Sequence, residues 1–516
     1  MALPIIFISC SMLITLLFFL YGFNHYFLLY SSRKYKSPTL NNDARQKPAV
    51  CIHLPVYNEK YVIHRLIAAC AQMAEAYGIK KVRIVIIDDS EDESVEVVDN
   101  VVREYLAKGY LIEVLRRKSR EGFKAGALQA ALEMTSEEYI AVFDADFIPA
   151  PDFLIRTIPY FEADEKLGII QSRWTHTNRD YNTLTKAIAI GIDVHFLIEQ
   201  AGRYASGCFQ NFNGSGGVLK RKAIIEAGSW QADTLAEDLD ISYRIQLKGY
   251  HFLYIKDLQS PGEIPPTVPS FTKQQARWAN GSLRTARKVL PTIMTNSKLG
   301  VKKRLEAFIH LTGYLVHPLM FISFILTFLA TILSVNSFRI ANVAQVIQYT
   351  SQPGAFSENG TFILETITWL MLGSMILFCS IAAWVTPIAS LKVQNLSVSR
   401  NLGSLLILFL LGFGISLSNT LEAGKALLTN KDWAFKRTPK YAISSGSEEW
   451  RSKRYQVPLD KMVVMELLLV LLGGIAMAHA IGDANLVVLI ILIPYTLAYA
   501  YVLFLTVWQS QQERAS

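Results

Sequence analysis

The stretch YIAVFDAD, residues 139–146, decides how this chain is read. A short apolar run leads straight into two carboxylates, Asp144 and Asp146, with only Ala145 between them. A short β-rich apolar run of this kind fits a strand. Acids placed directly after it stand at its carboxyl end, where α/β sheets bind their ligands. Two carboxylates there suit a hard divalent cation, Mg²⁺ or Mn²⁺, which takes one or two carboxylates together with phosphate oxygens. A solvated turn would carry the same three letters, so the neighbouring segments have to discriminate.

The same pattern recurs outward from this point. AVCIHLP (49–55), VRIVIID (82–88) and LIEVL (111–115) are further β-rich runs, separated by polar stretches of helical period, over about 48 to 257. IIDDS puts Asp88 and Asp89 at a second strand end, where a carboxylate can accept from a base or ribose, although acids are also common in turns. REGFKAGALQAAL (120–132) opens a helix with Lys124 in its first turn, near the end that favours phosphate. LAEDLD (235–240) opens another with Glu237 and Asp238 in its first turn. Such acids often only complement the helix dipole, but activating a hydroxyl needs a base, and Asp238 is the candidate.

QQARWANGSLRTARKVL (274–290) brings Gln274, Arg277 and Trp278 within about one helical turn. A guanidinium can stabilise phosphate and an indole can stack on a sugar ring, while a basic amphipathic helix also suits a membrane surface. FNGSGG (212–217) offers small residues, Gly214 among them, that allow close backbone approach to an acceptor.

Hydrophobic residues make up 51% of the 516, more than a soluble core requires. The formal charge of +8 is explained by Lys and Arg in cytoplasmic loops without invoking nucleic acid. Five cysteines stand singly, with no spacing for zinc, and read as apolar filling. Residues 4–29 form a run of spanning length followed by the basic SSRKYK (31–36), which reads as an anchor with its C-terminal end inside; a signal peptide would be shorter and begin with basic residues. Apolar segments return at about 308–335, 362–390, 402–428, 461–481 and 485–508. If all crossed, 429–460 would lie outside, yet it carries Lys431, Lys436, Arg437, Lys440, Arg451, Lys453 and Arg454. The positive-inside rule therefore predicts that 402–428 does not cross, but is interfacial or re-entrant, leaving five spans.

Taken together, PVYNE (55–59), IDDS, FKAGAL, DAD, FNGSGG, the Glu237–Asp238 pair and QxxRW, in this order, resemble the processive family 2 glycosyltransferases of the cellulose synthase superfamily. GFKAGAL, FDADF, PDFLIRTIP and QSRW are most similar to glucomannan and mannan synthase-like proteins. The resemblance implies an α/β fold: an anchor at 1–30, a cytoplasmic Rossmann-like GT-A domain over 31–300, and an α-helical transmembrane region over 301–516. It implies transfer of hexose from UDP-glucose or GDP-mannose, with inversion, to a growing β-linked polysaccharide that leaves through the enzyme's own channel. A single addition to a lipid acceptor is the alternative, and a non-catalytic transporter or binding subunit a third. Tyr57, Glu59, Asp88, Asp89, Lys124, Asp144, Gln274 and Arg277 would serve the donor, Asp144 and Asp146 the metal, and Asp238 would be the base. Gly214, Glu237 and Trp278 would face the acceptor. AFKRTPK (434–440) resembles the family's gating loop, with Phe435, Thr438 and Lys440 at the matching positions. The implied location is a multi-pass protein of the cell membrane, or of the Golgi membrane in a eukaryote. One departure is Ala236, where the family commonly has Thr before the acidic pair.

Overall fold

The computed structural model describes residues 2–40, 47–333, 360–429, 440–443, 461–483 and 485–515. The middle of the chain builds one seven-stranded sheet: β1 Val50–Val56, β2 Val82–Asp88, β3 Leu111–Leu115, β4 Tyr139–Val142, β5 Leu167–His176, β6 Gly217–Lys220 and β7 His251–Gly262. Its order is β3-β2-β1-β4-β6-β5-β7. β1 to β4 are the four apolar runs of the sequence and pair in parallel. β6 runs antiparallel to both β4 and β5, so the sheet is mixed.

Alternation along β1 and β2 sends residues to two separate cores. Val50, Ile52, Leu54, Ile84 and Ile86 pack with the helix Ile63–Tyr77 on one face. Cys51, Val85 and Ile87 meet Ala127 and Ala131 of the helix Phe123–Met134 on the other. Strand order reverses between β1 and β4, the position at which a doubly wound sheet opens a crevice beyond its strand ends. β5 and β7 are out of step after Ser172, where Arg173 pairs with Gln259 and residues 256–258 are looped out. A bulge of this kind bends the strand next to the crevice.

Among the described residues four helices are long and apolar enough to cross a membrane: Ser9–Ser32, Val301–Ile332, Met462–Gly482 and Leu486–Gln511. A further apolar helix runs over Gly360–Val393. The segment expected not to cross forms two helices, Ser399–Gly414 and Ser416–Leu428, bent by 43°. The second packs along the amphipathic helix Val268–Thr295: the Asn280 amide donates to Glu422 Oε2 at 3.1 Å, and Arg287 to the Ala426 carbonyl at 2.7 Å. Of the cysteines, Cys51, Cys70 and Cys208 are buried as expected, whereas Cys10 is exposed on the first helix.

The N-terminal helix touches the α/β domain closely at Gly202, where an added Cβ would lie 2.4 Å from the Leu28 carbonyl oxygen. Gly202→Ala is expected to destabilise the protein by about 1–3 kcal/mol, because backbone rather than a flexible side chain must give way. Thermal unfolding of the full chain in detergent checks this, and an unchanged midpoint would show that the two parts are not held at this point.

Candidate active site

The crevice beyond β1 and β4, about 210 Å³, is lined by Tyr57, Glu59, Asp89, Lys124, Asp144, Asp146, Glu237, Asp238, Gln274, Arg277, Trp278 and Lys440. Residues spread over nearly 400 positions of sequence thus meet on one sheet edge.

Lys124 holds the acids together. Its ammonium lies 2.6 Å from Asp144 Oδ1 and 3.5 Å from Glu237 Oε1, and it donates to the Gly214 carbonyl at 2.9 Å. Burial works against this charge, but Asp144, Glu237 and Asp238 outweigh it and raise the Lys124 pKa above the ordinary lysine value. Asp238 is half-buried, and its Oδ1 accepts from the Leu239 amide at 2.8 Å. Burial first, then the like charge of Glu237, push its carboxyl up to about 7, against the pull of Lys124. A carboxyl so placed can exchange a proton near neutral pH.

Gly214 acts differently from the expectation of acceptor approach. It does not line the crevice; it has φ +80°, and an added Cβ would stand 2.8 Å from Asp238 Oδ2 and 3.1 Å from Lys124 Nζ. The bare glycine lets the Asp238 carboxylate and the Lys124 ammonium share one space. We expect Gly214→Ala to lower transfer at least about tenfold, since a methyl there adds both strain and a clash of about 1–3 kcal/mol; a kcat within twofold of wild type would contradict this.

Asp88 is not brought into the crevice. Its side chain is buried and paired with Arg116 at 3.0 Å, while its Oδ1 accepts from the Ser90 amide. The alternation along β2 turns it into the protein, and the next residue, Asp89, is the one that reaches the lining, where Arg117 grips both its oxygens. Phe435 and Thr438 lie outside the described residues; Lys440 lies in the crevice, donating to Asp146 Oδ2 at 2.8 Å.

The helix Val268–Thr295 starts with Pro269 in its first turn, which suits the fixed φ of proline, and brings Gln274, Arg277 and Trp278 to the crevice. Its Gly281 sits on Ala236: an added Cβ would be 2.7 Å from the Ala236 Cβ. Small residues at both positions let the helix close on the Glu237–Asp238 turn. Sequence reasoning missed several lining residues. Arg120 lies 3.2 Å over the Tyr57 ring, and Glu263, Asn213 and His176 complete the wall. Glu263 follows β7 as a single acid before two prolines, which gave no signal. Trp174 and Gln171, both in QSRW, hold the 213–216 turn from below through the Ser215 carbonyl.

A divalent cation fits the donor set at Asp144 and Asp146. Among the described residues no group of three or more His, Cys, Asp and Glu forms a metal cage. Mg²⁺ does not need one where substrate phosphates supply ligands. The described hydrogen bonds to the Asp146 carboxylate both run to Oδ2.

Residues 139–392 match the family model of glycosyl transferase family group 2, and residues 51–211 that of glycosyl transferase family 2. A probable glucomannan 4-beta-mannosyltransferase 4 of Oryza sativa subsp. japonica is 36% identical over 276 residues, covering 52% of this chain and 50% of the relative. Glucomannan 4-beta-mannosyltransferase 9 of Arabidopsis thaliana is 34% identical over 293 residues, covering 55% of each. The chain thus spans about half the length of the curated relatives it matches. Among solved structures, a mannosyltransferase from Pyrobaculum calidifontis, in complex with GDP-Man and Mn²⁺, superposes with a TM-score of 0.51 at 18% identity, over 73% of this chain and 98% of the other. The fold is therefore GT-A, joined to apolar helices able to span a membrane.

Proposed function

The chain belongs to glycosyltransferase family 2, in its cellulose synthase-like branch, and we propose that it transfers a hexose, mannose in the first place, from a nucleotide sugar to a mannan-type polysaccharide. The observation that carries this is the meeting of Asp144, Asp146, Lys124 and Asp238 in one crevice at the reversal of strand order. The names of the plant relatives support mannose over glucose.

In this reading the donor diphosphate lies along Asp144 and Asp146, with Arg277 and Gln274 on the opposite wall. A Mg²⁺ or Mn²⁺ bound by the two aspartates would offset charge on the departing diphosphate. Asp238 takes the proton of the acceptor hydroxyl as it attacks the anomeric carbon from the face opposite the leaving group, inverting the configuration in a single displacement. Trp278 offers an indole face on which the acceptor sugar stacks. Tyr57, Glu59 and Asp89, at the ends of β1 and β2, line the side on which the nucleoside would sit.

We infer that 402–428 does not cross, which leaves five spans, and two contacts favour the non-crossing segment. Gln394, before this segment, donates to Asp193 of the catalytic domain at 3.0 Å, and Lys440, after it, reaches Asp146 of the same domain. Contacts of both flanks with one domain favour a common side for the two ends, which the positive-inside rule makes cytoplasmic. The test of function is the purified full chain in lipid, given labelled GDP-mannose or UDP-glucose with Mg²⁺ or Mn²⁺. A ladder of products from GDP-mannose is expected. A single labelled lipid would favour the one-addition alternative, and no incorporation from any donor would overturn the reading.

A further inference from the structure

Besides Lys124 on Asp144, the site holds a second lysine, on Asp146. Lys440 Nζ donates to Asp146 Oδ2 at 2.8 Å and points toward the Glu263 carbonyl at 3.4 Å. The next residue is fastened in place: the Tyr441 amide donates to Glu263 Oε1 at 2.7 Å, and Tyr441 and Ile443 are fully buried beside Tyr181. Glu263 in turn gives its own amide to Asp146 Oδ2 at 3.0 Å. Its carboxylate is 4% exposed, so the anchor lies inside the protein.

A divalent cation bound by Asp146 and this ammonium would seek the same carboxylate. Two cations within a few ångströms of one another repel strongly where water is scarce. We propose that Lys440 is a built-in competitor for the cation-binding carboxylate of Asp146, held there by the bridge from Glu263 to Tyr441, so that divalent metal binds only by displacing it. This rests on the reading of Asp144 and Asp146 as cation ligands. It makes metal binding weak by itself and favoured when donor phosphates arrive, because phosphate both completes the metal's ligands and offers the released ammonium a new partner.

The test is Mn²⁺ binding to the full chain in lipid without nucleotide, read from the electron paramagnetic resonance signal of free Mn²⁺. Lys440→Met should bind Mn²⁺ about tenfold more tightly than wild type, the size of effect that one adjacent unit charge exerts on a carboxylate. Lys440→Arg, which keeps the charge, should bind as weakly as wild type, and Asp146→Asn added to Lys440→Met should abolish the gain. Equal or weaker binding by Lys440→Met, in a chain whose thermal unfolding matches wild type, would overturn the competition, while sugar transfer by the wild-type chain would leave the proposed function standing. No Mn²⁺ binding by any variant, even with a nucleoside diphosphate, would overturn both the competition and the metal reading.

Discussion

Asp238→Asn is expected to lower kcat by about 10²–10⁴-fold, the range over which a positioned general base contributes. Donor KM should change little, since the side chain stays close in size and Lys124 keeps Asp144 and Glu237 as partners. The pH profile separates a base from a merely structural acid. Burial and Glu237 push the Asp238 carboxyl up to about 7, so the group is protonated and idle at lower pH. The rate should therefore rise with pH through about 7 in the wild-type chain, and the residual rate of the asparagine variant should be flat across that window. Transfer measured in lipid from pH 5 to 9 gives both results. A variant with wild-type turnover, or one that retains the same acidic limb, would remove Asp238 from the mechanism.

Lys124→Ala should be the most damaging change to the donor side. The lysine side chain is 22% exposed, and it compensates Asp144, Glu237 and Asp238 together. Its loss leaves three carboxylates crowded without their shared cation, at a cost of about 3–5 kcal/mol when one partner of a buried pair is removed. Donor affinity should fall by at least about a hundredfold if a comparable share of that energy serves the diphosphate. A second effect has a definite sign. Lys124 holds the Asp238 carboxyl lower than burial and Glu237 alone would, so without it Asp238 keeps its proton to higher pH and the acidic limb moves upward. Nucleotide binding by calorimetry and the pH profile of residual activity measure the two effects separately. Unaltered donor affinity with an unshifted profile would show that Lys124 only fills space.

The acids themselves were legible in the sequence because β1 to β4 are almost wholly apolar, and a strand that ends in a carboxylate marks the ligand-binding edge wherever the sheet is drawn. The same simplicity made Asp88 and Asp89 inseparable: one step along β2 reverses a side chain's direction, and only the sheet shows that Arg116 takes the first while the second reaches the crevice. β6 is four residues long and β7 is broken by the loop at 256–258, so neither shows a clean period of two. The antiparallel insertion of β6 went unread for that reason.

The sequence by itself determined the apolar segments of spanning length and the α/β domain, and it singled out Asp144, Asp146, Asp238, Arg277 and Trp278, because each lies within one strand end or one helical turn; the structure brings these five to one crevice. Tertiary structure decided what depends on contacts far along the chain. Gly214 matters through the Cβ it lacks beside Asp238, and Ala236 through its contact with Gly281. Lys440 lies 294 residues from Asp146 in sequence and 2.8 Å from it in space. Local patterning fixes what a segment is and which groups it offers. Charges meet only when strand order and helix packing bring the segments together, and that convergence leaves no mark in any single stretch.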